Sequence, residues 1–417
     1  MKSFLIKNTR ICDPRHAQHK KVVDILFENG AIKSIGKLKS TDVKIIDMDG
    51  AWCFPGWVDS LSYCGSPGNE EDETFESLEK TALAGGFTSI ATVFGREETS
   101  QNGSDIRSLR EAVRNASIRI LPIGNLSKNR KGLELAELHD MQSQGALAFF
   151  DGTENPLQSA LKPIIADYSQ SVEGVIYMWP WEANQTPGAI VNQSANTTVL
   201  GLKGFHSSME GSQIAADVAL FEKHEAKAYF PYVTTEEASV IAKKNKTQIF
   251  GTPVYNLSYS DDALSEFDEN LKVMPPLRGK SHIQKIRKAI ENGSIKAVCS
   301  NHVPLNQEMK EREFLYASFG AASLQVVGSE LYRAIGKGAF MEYASQLLSY
   351  GGSEILGLPG NELKEGKGAN MTFFDPSKNW TLNAASNKSL SKNYPAWNKE
   401  LTGKVVHVIA QGKLHSL

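Results

Sequence analysis

The chain has 417 residues, which exceeds the roughly 250 residues of a bare (β/α)8 barrel by enough for a second small unit. Its 45 basic and 47 acidic residues give a formal charge of -2, which excludes a general electrostatic attraction to nucleic acid or to an anionic membrane. Four cysteines without a CxxC pair or a repeated spacing indicate neither a disulfide framework nor a thiolate zinc site: Cys12, Cys53, Cys64 and Cys299. We therefore expect a reduced, cytoplasmic protein whose partner is a small molecule or another protein.

Short alternating apolar runs open and close the chain, as in antiparallel sheets. Near the start, Val22 to Phe27 ends before an Asn-Gly pair, and near the end Gly403 to Ala410 ends before Gln-Gly. Turn signals of this kind connect neighbouring strands. The pattern predicts one small β-sandwich built from residues 1–52 and 359–417, with a barrel in residues 53–358 between them.

Between the two ends, strand-like apolar runs alternate with amphipathic helical segments, which is the pattern of a parallel sheet with crossover helices. The number of such runs is eight, the strand number of a (β/α)8 barrel. The predicted fold class is therefore α/β, a TIM-like (β/α)8 barrel with a small β-sandwich. The predicted barrel strands are Cys53–Asp59, Thr88–Phe94, Ile118–Gly124, Ala146–Asp151, Gly174–Met178, Lys227–Val233, Gln248–Val254 and Ile295–Ser300.

The segment from Phe54 to Tyr63 carries the most informative motif, Phe-Pro-Gly-Trp-Val-Asp-Ser-Leu-Ser-Tyr. It resembles the first barrel strand of the dihydroorotase branch of the amidohydrolase superfamily, which reads Pro-Gly-x-x-Asp-x-His-x-His. The resemblance to these cyclic amidohydrolases covers essentially the whole chain and implies their barrel-and-sandwich fold. Further stretches that follow the family's order are Ser66-Pro67-Gly68, Gly85-Gly86-Phe87-Thr88, Gly201-Leu202-Lys203-Gly204, Met274-Pro275-Pro276-Leu277-Arg278 and Phe319-Gly320.

The resemblance also implies where a metal centre would lie, and most of those positions hold side chains that do not bind zinc. In such an enzyme, two histidines on strand one, a carboxylate on strand four, histidines on strands five and six and an aspartate on strand eight hold one or two zinc ions, which activate a water. The matching residues here are Leu61 and Tyr63, then Asp151, Tyr232 and Asn301, and strand five has no histidine. We therefore expect no zinc, no other cofactor and no catalytic residue.

The positions that grip the substrate carboxylate in the family are also changed. An arginine and an asparagine are replaced by Gly65 and Gly95, which removes the bidentate anion contact. His302 is a candidate general base, because imidazole serves in this role near neutral pH, although the family carries a histidine at this position as well. A rearranged site around Asp151, Glu182 and His302 is the alternative that keeps hydrolytic chemistry.

Three other features have plain structural interpretations. His16 and His19 have a spacing seen in metal sites, but they lie in a polar stretch without a cysteine or carboxylate cluster, which favours a solvated loop. Cys64 adjoins the altered motif, yet no histidine–carboxylate pair can be assigned to it, so a small buried residue is favoured over a nucleophile. The aromatic residues at strand ends either fill the former pocket, which is favoured, or line a binding cavity. They are Tyr63, Phe94, Trp179, Trp181, Tyr232 and Tyr255.

These features predict a dihydroorotase-like protein that is catalytically inactive. Non-catalytic dihydroorotase-like chains are structural partners of aspartate carbamoyltransferase in some bacteria, so the resemblance implies a structural or regulatory role in pyrimidine biosynthesis with that enzyme as partner. A homo-oligomer is a further expectation, whereas nucleic acid and membrane are not expected as partners. The alternatives are a divergent hydrolase of cyclic amides with the rearranged site, and a small-molecule binding protein with an aromatic pocket.

Overall fold

The computed structural model describes residues 3–38, 43–95, 99–181 and 186–417. Its strands fall into one large sheet made from both ends of the chain and a set of short parallel strands between them. In chain order the strands are β1 (Phe4–Ile11), β2 (Val22–Glu28), β3 (Ala31–Gly36), β4 (Lys44–Asp47), β5 (Trp52–Pro55), β6 (Trp57–Cys64), β7 (Phe87–Phe94), β8 (Arg119–Pro122), β9 (Ala148–Phe149), β10 (Val175–Tyr177), β11 (Val191–Asn192), β12 (Gly204–Phe205), β13 (Ala228–Phe230), β14 (Ile249–Pro253), β15 (Ala297–Cys299), β16 (Met371–Thr381), β17 (Glu400–Ala410) and β18 (Lys413–Ser416).

The helices occupy the intervals between the parallel strands. The first begins after Thr74, whose hydroxyl accepts the amide hydrogen of Ser77 in a capping box. No helix among the described residues is long and apolar enough to cross a membrane. The helices are α1 (Phe75–Gly85), α2 (Gly103–Ala112), α3 (Leu138–Ser143), α4 (Leu161–Ser169), α5 (Ala195–Val199), α6 (Ser208–Lys223), α7 (Glu236–Lys244), α8 (Tyr255–Ser258), α9 (Lys280–Glu291), α10 (Gln307–Lys310), α11 (Val327–Ser345) and α12 (Gly351–Ile355).

The terminal sheet joins the two ends of the chain, as the alternating runs predict. Its strand order is β18-β17-β16-β5-β1-β2-β3, and β4 pairs with β1. On β2, Val23, Ile25 and Phe27 are buried while their neighbours are not, so one face of the strand packs on a core. The predicted β-sandwich unit built from both termini is confirmed.

The central strands close into a parallel barrel. One run is β6-β7-β8 and the other is β15-β14-β13-β10-β9, and all their pairings are parallel. Two parallel bridges join the runs, Gly124 with Phe149 and Ser62 with His302. The eight strands therefore form one ring, and the predicted (β/α)8 barrel is confirmed.

The first predicted barrel strand, Cys53–Asp59, is two strands that belong to different sheets. Trp52 to Pro55 pair antiparallel with β16 in the terminal sheet, and the barrel strand begins only at Trp57. Gly56 joins the two strands. A side chain at this position would clash, because a Cβ there would lie 2.6 Å from Thr88 Oγ1. A continuous apolar run does not reveal such a change of partner. The limits of the predicted segments 1–52, 53–358 and 359–417 stay predictions.

The connection between β16 and β17, residues 382–399, reaches from the terminal sheet to the mouth of the barrel. Ser391 Oγ donates to the Asp72 carbonyl (2.7 Å), and Asn393 Nδ2 donates to the Val303 carbonyl (3.0 Å). Both acceptors lie in segments that line the cavity at the carboxyl ends of the barrel strands. This connection, which we call the rim strap, thus ties the two sheets together at the candidate site.

Candidate functional site at the barrel mouth

A cavity of about 610 Å³ opens at the carboxyl ends of the barrel strands. Tyr63 near the end of β6, Asp151 after β9 and Trp179 after β10 all line it. Its remaining aromatic wall consists of Trp181, Phe205 and Phe319. The expectation that aromatic side chains fill the former pocket is therefore only partly right, because a cavity of this volume remains above them.

The aromatic residues predicted to share the mouth divide into three groups. Tyr63, Trp179 and Trp181 line the cavity, and Tyr232 lies beneath it. The other two pack elsewhere: Phe94 contacts Phe75 in the core, and the Tyr255 hydroxyl donates to the Ala322 carbonyl. Position at a strand end was therefore not enough to predict which rings meet.

A chain of hydrogen bonds joins three of the positions at which the resemblance implies metal or catalytic residues. Asn301 Nδ2 donates to the Met274 carbonyl (3.0 Å), so its Oδ1 is the atom that accepts from the Tyr232 hydroxyl (3.1 Å). Because the only hydroxyl hydrogen of Tyr232 is donated to Asn301, the Tyr63 hydroxyl donates to the Tyr232 oxygen (3.2 Å). Burial raises the pKa of both phenols, which keeps them protonated near neutral pH. The chain is uncharged from end to end.

The other strand-one position is apolar. Leu61 has no exposed surface and packs in a buried cluster with Ala91, Phe150 and Tyr177. A leucine offers no donor atom, and the protonated phenols and the engaged amide beside it are poor zinc ligands. The residues present at these positions therefore do not fit a zinc site. No group of three or more histidine, cysteine, aspartate or glutamate side chains able to hold a metal occurs among the described residues.

Asp151 lines the cavity, but its carboxylate serves the adjacent loop. Oδ1 accepts the amide hydrogens of Leu126 (2.7 Å) and Ser127 (2.9 Å), and Oδ2 accepts the Ser127 hydroxyl. Burial raises the pKa of this carboxyl against the opposing effect of those hydrogen bonds. The aspartate is thus a structural acceptor that fixes the chain after β8.

His302 is turned away from the cavity. Its Nδ1 accepts the amide hydrogen of Ser323 (3.0 Å), so a neutral ring carries its hydrogen on Nε2. That nitrogen lies 3.4 Å from Glu73 Oε2, and both side chains are fully buried. The described residues of the proposed rearranged site, Asp151 and His302, are therefore not brought to one place. Glu182 lies outside the described residues.

Gly65 and Gly95, the positions at which the resemblance implies substrate-binding residues, cannot hold longer side chains in this backbone. A Cβ at Gly65 would lie 2.0 Å from the Asn69 carbonyl oxygen. Gly95 has a φ of +60°, and a Cβ there would lie 2.6 Å from Thr99 Oγ1. The surroundings of both glycines thus leave no room for an arginine or an asparagine side chain.

Arg130 lies at this closed corner, and the sequence alone did not indicate it. Its Nε donates to Asn125 Oδ1 (2.8 Å), Nη1 donates to the Gly95 carbonyl (2.8 Å) and Nη2 donates to the Phe94 carbonyl (2.6 Å). The guanidinium therefore braces the end of β7. Its approach to Gly95 depends on how the loop after β8 folds back, for which no local motif exists.

The other sequence candidates have structural surroundings. Cys64 lines the cavity, but burial raises the pKa of its thiol well above the ordinary value, which leaves it protonated and unreactive. His19 Nε2 lies 3.4 Å from Glu342, and His16 Nδ1 accepts the Gln18 amide hydrogen. All four cysteines are free and buried, so none forms a disulfide.

No protein-family model matches the sequence. Among curated proteins, the chain is 29% identical to a dihydroorotase of Syntrophus aciditrophicus over 421 residues, covering 99% of this chain and 98% of the relative. It is 29% identical to a dihydroorotase of Elusimicrobium minutum over 420 residues, covering 99% and 97%. A putative dihydroorotase of Rhodopirellula baltica is 28% identical over 422 residues, with 99% and 92% covered.

Solved structures give the same fold. A D-hydantoinase superposes with a TM-score of 0.82 at 18% identity, covering 99% of this chain and 95% of that one. A dihydropyrimidinase from Brevibacillus agri gives 0.81 at 18% identity, covering 99% and 94%. An L-hydantoinase from Arthrobacter aurescens gives 0.81 at 17% identity, covering 100% and 98%. At these identities the likeness concerns the fold.

Proposed function

We propose that this chain, which is dihydroorotase-like in sequence along its whole length and has the fold of cyclic amidohydrolases, does not hydrolyse cyclic amides. The observation that carries the proposal is the uncharged chain from Tyr63 through Tyr232 and Asn301 to the Met274 carbonyl. It occupies the positions at which the family holds metal. Amide hydrolysis requires an activated water, and these groups neither bind a metal nor accept a proton near neutral pH.

Two acids that line the cavity are engaged by neighbouring loops. Asp151 accepts three hydrogen bonds from Leu126 and Ser127, and Asp72 Oδ1 accepts the amide hydrogen of Asn306 (2.7 Å). His302, the imidazole nearest to the altered motif, faces Glu73 instead of the cavity. These engagements support the non-catalytic function over the alternative of a divergent hydrolase with a rearranged site.

Zinc content and turnover test this function directly. We expect elemental analysis to find less than one zinc per barrel, and we expect neither dihydroorotate hydrolysis nor the reverse ring closure above the uncatalysed rate. The dihydroorotase of Syntrophus aciditrophicus, assayed in parallel, is the positive control. About one zinc per chain that is lost on Asp151→Ala, or turnover that disappears on His302→Ala, would contradict the proposal.

We further propose that the protein acts as a structural or regulatory partner in pyrimidine biosynthesis, with aspartate carbamoyltransferase as the partner. The support is the resemblance to dihydroorotases together with the altered metal positions. Co-expression with the carbamoyltransferase from the same genome tests it, because a stable complex elutes ahead of either protein on a sizing column. Separate elution, with carbamoyltransferase kinetics unchanged by added protein, would contradict this role.

A second candidate function is small-molecule binding, which the cavity of about 610 Å³ specifically favours. Its volume falls within the ordinary range of ligand pockets, and its wall combines aromatic surface with a few polar groups. This function is compatible with absent catalysis, since binding needs neither a metal nor a base.

A further inference from the structure

We propose that a second cavity, at the amino ends of the barrel strands, binds a small oxyanion of the phosphate type. Its volume is about 200 Å³. Val58, Ser89 and Arg119, near the beginnings of β6, β7 and β8, line it together with Ser353 of α12. Because these strands are parallel, the cavity lies at the end of the barrel opposite the mouth. The inference is therefore independent of the proposed function, which concerns the mouth alone.

The side chains of Ser89 and Arg119 point towards the axis of the barrel. On β7, Ala91 belongs to the buried cluster inside the barrel, and the alternation of side chains along a strand places Ser89 on the same side. On β8, Leu121 packs against the same cluster, which gives Arg119 the same orientation. Ser89 and Arg119 are also partners in the parallel pairing of β7 with β8. A hydroxyl and a guanidinium thus lie side by side at this end of the barrel.

The charges of the described lining favour an anion. The lining holds two cations, Arg119 and Lys367, and one acid, Glu362. Both basic side chains are exposed, and neither forms a hydrogen bond or an ion pair with any residue that the structure describes. Glu362 also lines the neighbouring cavity, where its charge acts on Tyr350. An excess of positive charge therefore remains for a ligand.

Two buried hydroxyls add hydrogen-bond donors. Ser353 is 3% exposed, and its hydroxyl has no hydrogen-bond partner. Ser89 is 5% exposed, and its hydroxyl forms no hydrogen bond within the described part of the chain. Leaving such groups unpaired is costly, and a ligand that offers several acceptor oxygens satisfies both. An oxyanion does so while the guanidinium of Arg119 approaches it with two parallel N–H groups.

Hydrogen bonds between side-chain amides fix the wall of this cavity. Asn361 Nδ2 donates to the Gly56 carbonyl (2.8 Å), and its Oδ1 accepts from Asn370 Nδ2 (3.1 Å). Asn370 Oδ1 in turn accepts the Gln411 amide hydrogen (2.8 Å). These amides hold the segments around them and leave recognition to the serines and the two cations. The volume lies below the ordinary range of ligand pockets, which limits the ligand to inorganic phosphate or a small phosphate monoester.

Calorimetric titration near neutral pH and at constant ionic strength tests the proposal. The probes are inorganic phosphate, glycerol 3-phosphate as a small monoester, glycerol as the neutral compound and chloride as a simple anion. We expect phosphate or the monoester to bind at least about tenfold more tightly than chloride, and we expect no measurable binding of glycerol. The order of phosphate and glycerol 3-phosphate distinguishes a site for the free ion from a site for an ester.

Matched variants assign the binding to this cavity. Arg119→Gln should weaken binding of phosphate about tenfold or more, whereas Arg107→Gln, at an exposed position of α2, should leave it unchanged. Ser89→Ala combined with Ser353→Ala should weaken it about fivefold. Glu362→Gln should tighten it about two- to fivefold, because it removes a repelling charge. Circular dichroism checks that each variant folds.

Three outcomes would overturn the proposal. The first is phosphate and glycerol 3-phosphate binding no tighter than chloride at about 10 mM, where even a weak site is occupied. The second is binding that Arg119→Gln leaves unchanged, which would place the anion elsewhere. The third is weaker binding in Glu362→Gln, which would show that the ligand needs the acid. None of these results bears on the proposed function, which zinc content and turnover test separately.

Discussion

At the scale of single residues, Asp59 is the aspartate of the Pro-Gly-x-x-Asp motif, and it lies deep inside the barrel. It has no exposed surface, and it accepts the Ser300 amide hydrogen (2.8 Å) and the Ser300 hydroxyl. Burial outweighs these hydrogen bonds and raises the pKa of Asp59 from 3.8 to about 7. The carboxyl therefore joins strand one to strand eight and holds a proton more tightly in the folded chain than in the unfolded chain.

This shift predicts a pH dependence of stability. Because the folded pKa is raised, the contribution of Asp59 is fully present below about pH 4 and is lost as the pH rises through about 7. Asp59→Asn should remove that loss, which is on the order of a few kcal/mol. An asparagine can accept the Ser300 amide and donate to its hydroxyl, which can turn to the Leu61 carbonyl (3.1 Å).

Urea unfolding at pH 5 and pH 8 measures this effect as the difference between the variant and the parent. Asp49→Asn, at an exposed turn, is the matched control and should follow the parent. An Asp59→Asn variant whose free energy of unfolding falls as steeply as the parent's over this range would show that other groups cause the pH dependence.

At the scale of elements, the rim strap decides how the barrel mouth is held. Tyr394 and Ala396 bury their side chains almost completely, and both belong to the main hydrophobic core. Asn393 connects three chain segments: Nδ2 donates to the Val303 carbonyl, Oδ1 accepts from the Leu305 amide (3.4 Å), and its carbonyl accepts from the Ala322 amide (3.0 Å). Val303 and Leu305 line the cavity.

Asn393→Ala should therefore lower the free energy of unfolding by about 1–3 kcal/mol, because it leaves buried backbone groups of the cavity wall without partners. Lys392→Ala, at the exposed neighbouring position, should change it by no more than about 0.5 kcal/mol. Chemical denaturation measures both. Equal stability of the two variants would mean that the strap only covers the wall and does not hold it.

At the scale of the whole molecule, the positions at which the resemblance to dihydroorotases implies metal or catalytic residues are distributed over the barrel. Leu61 and Tyr63 come from β6, Tyr232 follows β13 and Asn301 follows β15. Each contacts another of the changed positions or the apolar cluster beneath the cavity. The four residues are therefore held by their neighbours, and we expect no single substitution to create a metal site.

Restoring the strand-one histidines should accordingly not restore function. Leu61→His with Tyr63→His should bind no zinc tightly, should remain inactive and should unfold at a lower temperature, because a buried imidazole replaces packed apolar surface at a cost of a few kcal/mol. Leu61→Met with Tyr63→Phe is the control that keeps the volume and removes one hydrogen bond. Thermal unfolding and elemental analysis measure the outcome.

A histidine pair that bound zinc, kept the parent's melting temperature and hydrolysed dihydroorotate would show that the altered positions are interchangeable with the family's. In that case the pocket would be preserved in the parent, and the account of the Tyr63–Tyr232–Asn301 chain as a replacement of the metal site would have to be abandoned.

The sequence by itself determined the barrel and the terminal sheet, and the resemblance to dihydroorotases supplied the prediction of which positions differ from metal ligands. Strand periodicity and a motif that keeps its spacing are local properties, so they survive without knowledge of the fold. That Leu61, Tyr63, Tyr232 and Asn301 stand at the family's metal and catalytic positions stays a prediction of the resemblance.

Only the tertiary structure decided what these residues do instead. The Tyr63–Tyr232 contact joins residues 169 positions apart, and the Asp59–Ser300 contact joins residues 241 apart. Three further features depend on loops that meet only when the barrel closes. They are the hydrogen bond from Arg130 to the Gly95 carbonyl, the orientation of His302 towards Glu73 and the cavity above the tyrosines. Such contacts are set by the packing of distant segments, which composition and spacing along the chain do not specify.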